Sequence, residues 1–142
     1  HSASGVASGI YSAEAGERTY AHLAATAEMM LRSGQPVLID ATFLQRARRA
    51  MFRQLAERLG ILFLIVTFHA SEAELRRRIE QRSARGQDAS EANLAVLERQ
   101  IASQEPLGAD EHAIRVDTGQ PDADTQMLEQ VRRYLPPECT RA

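Results

Sequence analysis

The chain has 142 residues, 44% of them apolar and 25% charged, with a net charge of −2. That is one domain of ordinary size, able to bury roughly 70% of its unfolded surface and with no global attraction to nucleic acid or membrane. The single Cys139 excludes an internal disulfide and no apolar run reaches the roughly 18 residues of a membrane span, so a cytoplasmic setting is expected.

The first stretch, "SASGVASGIYS", has the glycines and serines of a phosphate-cradling loop and precedes a helical pattern. It is not a Walker A loop. Ile10 stands where G-x-x-x-x-G-K-[ST] demands lysine, the spacing from Gly5 to Gly9 is one residue short, and all 17 basic residues of the chain are arginine.

A first helix is expected over 12–32, with Tyr20, Leu23, Ala24, Ala27, Met30 and Leu31 at helical spacing, Ser12 as N-cap and Gly34 as the stop. Val37-Leu38-Ile39-Asp40 is a short apolar run ending in a carboxylate, which reads as a buried strand. A second helix, about 44–59, buries Ala47, Met51 or Phe52, Leu55 and Leu59 and stops at Gly60. "ILFLIVTF", residues 61–68, is the most strand-like stretch.

Ser71-Glu72-Ala73-Glu74 is a capping box that starts a third helix. Its core side holds Ala73, Leu75 and Ile79, but from Arg76 onward arginine dominates until Arg85-Gly86-Gln87-Asp88 interrupts the pattern. Ser90 caps a fourth helix with sparse apolar positions Leu94, Leu97 and Ile101. Two thin apolar stripes around a polar break predict a helical hairpin that projects from the core. Residues 114–118 read as a third strand, and Leu128, Val131 and Leu135 mark a last helix stopped by Pro136-Pro137. Strands alternating with helices predict a parallel α/β sheet, whose functional groups gather at the carboxyl ends of the strands: Asp40, Thr42, His69, Asp117 and Thr118. The four histidines are scattered and give no metal-ligand spacing.

Taken together, "GIYSAEA", "VLIDATF", "LRRRIEQRSARGQDASEANLAVLERQ" with the following "EPL", and "VDT" resemble the P-loop kinases of the gluconate kinase, zeta toxin and polynucleotide kinase type. The nearest likeness is to the ATP-binding module that follows an aminoglycoside-phosphotransferase-like domain. The resemblance implies a single partial P-loop NTPase-like domain over 1–142, a three-layer parallel sheet truncated before its Walker A strand, with an arginine-rich LID hairpin at about 76–105. It implies ATP and Mg²⁺ as cofactors and transfer of the γ-phosphoryl group to a small-molecule hydroxyl, with this stretch inactive alone.

By the same resemblance Asp40 ends the Walker B strand and orients the Mg²⁺ hydration shell, with Thr42 beside it on the nucleotide. Arg78, Arg82 and Arg85, at i, i+4 and i+7, offer guanidiniums to the triphosphate, and Thr118 and Gly119 lie where such kinases pack adenine. Each residue also has a plainer reading. Asp40 caps the next turn, the arginines form a solvated face paired with Glu74 and Glu80, Asp117-Thr118-Gly119 is a turn, and Tyr11 packs the entry to the first helix.

The family's P-loop strand lies between the strands represented by 37–40 and 61–68, so the resemblance implies that this gap is closed by direct pairing, filled by an upstream domain or partner strand, or left unpaired. The alternative to a kinase part is a non-catalytic protein-interaction module. Nucleic acid is disfavoured by the slightly negative charge and by aromatic residues at only 5%, which supply no stacking platform.

Overall fold

The computed structural model describes residues 13–84 and 90–135. The 2–12 stretch with Tyr11, the Ser12 cap and Arg85 lie outside the described residues, as does the side chain of Leu94. The chain divides into two compact units, residues 1–63 and 64–142.

The first unit is a helix pair. α1 (Ala13–Arg32) and α2 (Arg46–Leu59) pack through Tyr20, Ala27, Phe52 and Leu55, with Leu23, Leu31, Val37, Ile39, Phe43 and Met51 closing around them. Both helices end as their glycines predict. Gly34 and Gly60 take left-handed φ values of 81° and 66°. The amides of Gln35 and Ile61 reach back to Met30 O and Ala56 O at 3.1 Å, which satisfies carbonyls that a helix end leaves orphaned. Across the pair, Glu28 accepts from Arg32 Nη2 at 2.7 Å and from Arg58 Nη2 at 3.1 Å. Arg32, seconded by Arg58, holds its carboxyl below the usual range.

Residues 37–40 correct the expectation of a strand. They are extended in alternation, Val37 and Ile39 against the core and Leu38 and Asp40 outward, but no ladder forms. Leu38 is 91% exposed. An extended run becomes a strand only when another backbone meets its N–H and C=O groups, and among the described residues none does.

The second unit begins with β1 (Ile65–His69), continues through α3 (Glu72–Ala84) and α4 (Ser90–Ser103) to β2 (Ala113–Asp117), and ends in α5 (Ala123–Tyr134). β1 and β2 pair in parallel, with Ile65 opposite Ala113 and His69 opposite Asp117. Ladder length is set by the shorter partner, so the strand expected over 61–68 is confined to five residues, and Ile61 instead caps α2. Ile114, Val116 and Ala123 form the core, with Leu64, Val66, Met127 and Val131 packed on it. Ser71 Oγ accepts the Glu74 amide at 3.2 Å, as a capping serine should.

The architecture is thus mixed α/β with five helices and a two-stranded parallel sheet among the described residues. Several expected core positions face outward: Ala47, Ala73, Met30, Ile101 and Leu128 are exposed. Each lies at the margin of its helix's apolar stripe, where one step of about 100° carries a side chain from core to solvent. No described helix is long and apolar enough to cross a membrane.

Candidate functional site

In the first unit the candidate groups are Asp40 and Thr42, both exposed, on the segment that joins the outward-facing end of 37–40 to α2. The backbone that follows them is unusual. Phe43 is the one non-glycine with positive φ among the described residues, at 45°, in a region where a Cβ is disfavoured.

Three contacts hold it there. Its amide donates to Tyr20 Oη at 3.0 Å, and its carbonyl accepts Arg49 Nη1 at 2.9 Å. Its ring stands edge-on to Tyr20 and Phe52, with centroids 5.2 and 5.3 Å away. Arg49, only 5% exposed, also donates to Leu44 O at 3.4 Å. Tyr20 Oη lies 3.4 Å from Thr42 Oγ1, a long contact that leaves the threonine hydroxyl open to other partners.

In the second unit the candidate groups meet at the carboxyl end of the parallel pair. Thr118 donates its amide to His69 O at 2.8 Å and its hydroxyl to the same oxygen at 3.2 Å. Arg78 then reaches across from α3. Its Nη1 donates to Thr118 Oγ1 at 3.0 Å, its Nη2 to Thr118 O at 2.7 Å, and its Nε to Glu74 Oε1 at 2.7 Å.

Asp117 turns back on its own chain, with Oδ1 accepting the Gly119 amide at 2.9 Å and Oδ2 accepting Gln120 Nε2 at 3.3 Å. The Gly119 amide above all, then the Gln120 amide group, lowers the Asp117 carboxyl pKa. A Cβ on Gly119 would stand 3.1 Å from Asp117 Oδ1, so the close turn favours glycine.

The other arginines of α3 are committed to carboxylates. Arg77 meets Glu74 through Nε at 2.8 Å and Nη2 at 2.7 Å, and Arg76 spans Glu72 on its own helix and Glu98 on α4 at 2.9 and 3.2 Å. Arg77, then Arg78, pulls the Glu74 carboxyl down to about 2. Arg82 is different. It is exposed, has no hydrogen bond or ion pair among the described residues, and borders a groove of about 520 Å³ between α3 and α4 whose apolar walls include Leu75, Ile79, Val96 and Leu97.

Among the sequence-derived candidates, the structure therefore brings Arg78 to Thr118 and Gly119 to Asp117, and leaves Asp40, Thr42 and Arg82 open to solvent. It also shows roles that the sequence does not give, for Tyr20, Phe43 and Arg49 around the Thr42 segment, while Glu74 pairs with arginines as expected, with both Arg77 and Arg78. A signal for Arg49 was present, since Arg49, Phe52 and Ala56 fall at i, i+3 and i+7 on one stripe, all buried. Among the described residues no group of three or more His, Cys, Asp or Glu side chains gathers around a metal position. A lone exposed carboxylate with a hydroxyl nearby fits Mg²⁺ held through water and a ligand's phosphates rather than in a protein cage.

A family model described as an AAA domain matches residues 2–107, more than half of the chain. Neither the curated proteins nor the solved structures yield a match.

Proposed function

The chain belongs to the AAA domain family, a P-loop NTPase-like group, and from that premise we propose that it carries the Walker B, LID and adenine-side portions of an ATP-dependent kinase. The acceptor is a small-molecule hydroxyl and the phosphoryl donor is the γ-phosphate of ATP. When bound, Mg²⁺ neutralises phosphate charge.

Within the first unit Asp40 orients the ion's water shell and Thr42 faces the nucleotide. Within the second, Thr118 and Gly119 line the adenine side, while Arg82, joined by Arg78 and Arg85, supplies positive charge to the triphosphate. Such arginines contribute about 10³–10⁵ in rate where they touch the transferring group. The observation that carries the reading is the tie from Arg78 to Thr118, which brings an arginine-rich helix to the carboxyl end of a parallel strand pair, the usual place for ligands in α/β sheets.

No lysine is available for a Walker A loop, so phosphotransfer by these 142 residues alone is expected to be absent. The test has two arms. Coding sequence ahead of His1 that specifies a strand followed by GxxxxGK[ST] supports the kinase reading, and an unrelated sequence there counts against it. Calorimetry of the 142-residue chain with Mg²⁺·ATP reads weak binding that Arg82→Ala reduces, whereas robust turnover overturns the expected inactivity.

A second reading, a non-catalytic interaction module, draws on Leu38 at 91% exposure, on a run that no other backbone meets among the described residues, and on Phe68 at 60% exposure in β1. It gains if ATP does not bind at all.

A further inference from the structure

We propose that Tyr20 and Arg49 are positioning residues that lock the backbone at Phe43 and so fix how Asp40 and Thr42 are presented before any ligand arrives. The inference rests on the kinase reading for what Asp40 and Thr42 do, but the lock itself is read from the first unit alone.

Phe43 is gripped at its amide by Tyr20 Oη, at its carbonyl by Arg49 Nη1 and at its ring by Tyr20 and Phe52. A left-handed φ on a bulky aromatic residue persists only where its surroundings over-determine it, and such positions cluster at functional sites. A turn needed only for connectivity would put glycine here.

Arg49 strengthens the case. A guanidinium at 5% exposure is costly to desolvate, and an apolar residue on the same stripe would pack the helix pair without that cost. What arginine adds is a planar, always-charged group whose Nη1 donates to the carbonyls of both Phe43 and Leu44.

Tyr20 is itself braced. Arg48 lies over its ring at 4.4 Å, with its guanidinium close against Gly16, where a Cβ would stand 2.8 Å from Arg48 Nη2. The brace runs from Gly16 through Arg48 and Tyr20 to Phe43, and Thr42 Oγ1 sits at its end, 3.4 Å from Tyr20 Oη. Preorganisation of this kind matters most for a carboxylate that contacts an ion through water, because the geometry then depends on where the backbone places it.

The experiment uses the 142-residue chain with Tyr20→Phe, which removes one oxygen and keeps the ring, and Arg49→Lys, which keeps the charge and withdraws the Nη1 donor. Amide hydrogen exchange at Phe43 is followed beside exchange in the core of α1 and α2, and Mn²⁺·ATP at millimolar concentration is titrated while line broadening is read at the Asp40 and Thr42 amides.

In Tyr20→Phe the Phe43 amide is expected to exchange about tenfold faster while core amides move only with global stability. The Mn²⁺·ATP concentration needed for half-maximal broadening is expected to rise about tenfold, as when a group that orients a metal ligand is lost. Arg49→Lys should give the same pattern. Unchanged Phe43 exchange in both variants overturns the lock, and faster exchange with unchanged Mn²⁺·ATP broadening overturns the positioning role. If the unmutated chain shows no broadening at Asp40, the kinase reading falls, and the exchange arm by itself then upholds or overturns the lock.

Discussion

α2 and α3 are both arginine-rich, with Arg46, Arg48, Arg49, Arg53 and Arg58 on one and Arg76, Arg77, Arg78 and Arg82 on the other, yet the two helices use the residue in different ways. In α2 the first turn carries no acidic residue, and Arg49 is buried on backbone carbonyls. In α3 Glu72 and Glu74 stand three and four residues ahead of Arg76, Arg77 and Arg78, and the guanidiniums settle on those carboxylates at the surface. An arginine run thus has no fixed meaning. Glutamates one turn back determine which guanidiniums are engaged, and the apolar stripe determines which are buried.

The comparison breaks most visibly at Arg49. Arg49→Ala deletes a buried cation with its hydrogen bonds and leaves the carbonyls of Phe43 and Leu44 without that donor, so urea denaturation should show a loss of about 3 kcal/mol. A loss below about 1 kcal/mol would put Arg49 in the same class as the surface arginines. Arg78→Ala comes next. Its hydrogen bonds to Thr118 and Glu74 are short, but the side chain is 38% exposed. Screening reduces the expected loss to about 1 kcal/mol, with faster amide exchange concentrated at Thr118.

The same two helices show what the sequence makes legible. Helix ends are readable wherever the backbone geometry depends on one residue. Gly34 and Gly60 as left-handed stops and Ser71 as a cap behave as their chemistry requires. The β2 strand and α5 follow from periodicity. Residues 37–40 do not form the expected strand, because alternation reports which faces are buried and cannot report whether a second backbone is present.

For the candidate site, the rule that groups gather at parallel strand ends leads to Thr118, which the structure joins to His69 and Arg78. Nothing local reveals that Arg78 meets it, forty positions away, or that Phe43 takes a positive φ. Both depend on tertiary partners, Thr118 in one case and Tyr20 with Arg49 in the other.

A pH series sharpens the contrast without changing a residue of α2. The Glu74 carboxyl, held at about 2 against an ordinary 4.5, binds its proton less readily in the folded chain than in the unfolded one. Its contribution is therefore present in full above about pH 4.5 and is lost as the pH falls toward 2. The thermal midpoint should drop over that window, less steeply in Glu74→Gln, and the difference should shrink in high salt because the pair is exposed. A carboxyl NMR titration of Glu74 gives the same answer directly; a midpoint near 4.5 would show that Arg77 and Arg78 do not hold it in solution.

The smallest expected effect on stability is at Arg82, and it separates the α3 arginines held by carboxylates from an α3 arginine that no described residue holds. Glu74 cannot serve it: Arg78 already stands at i+4 from that carboxylate, and Arg82 lies a full turn further on. No hydrogen bond ties it among the described residues. Arg82→Ala should shift stability by under about 0.5 kcal/mol, since an exposed side chain with no partner among the described residues contributes little to folding. On the proposed role of Arg82 at the triphosphate, the same variant should weaken Mg²⁺·ATP binding in calorimetry while Arg77→Ala, whose partner is Glu74, leaves it unchanged. Equal weakening by both would mean that the nucleotide senses only the net charge of α3. Weakening by Arg82→Ala alone would identify a specific contact, distinct from the surface ion pairs around it and from the buried arginine of α2.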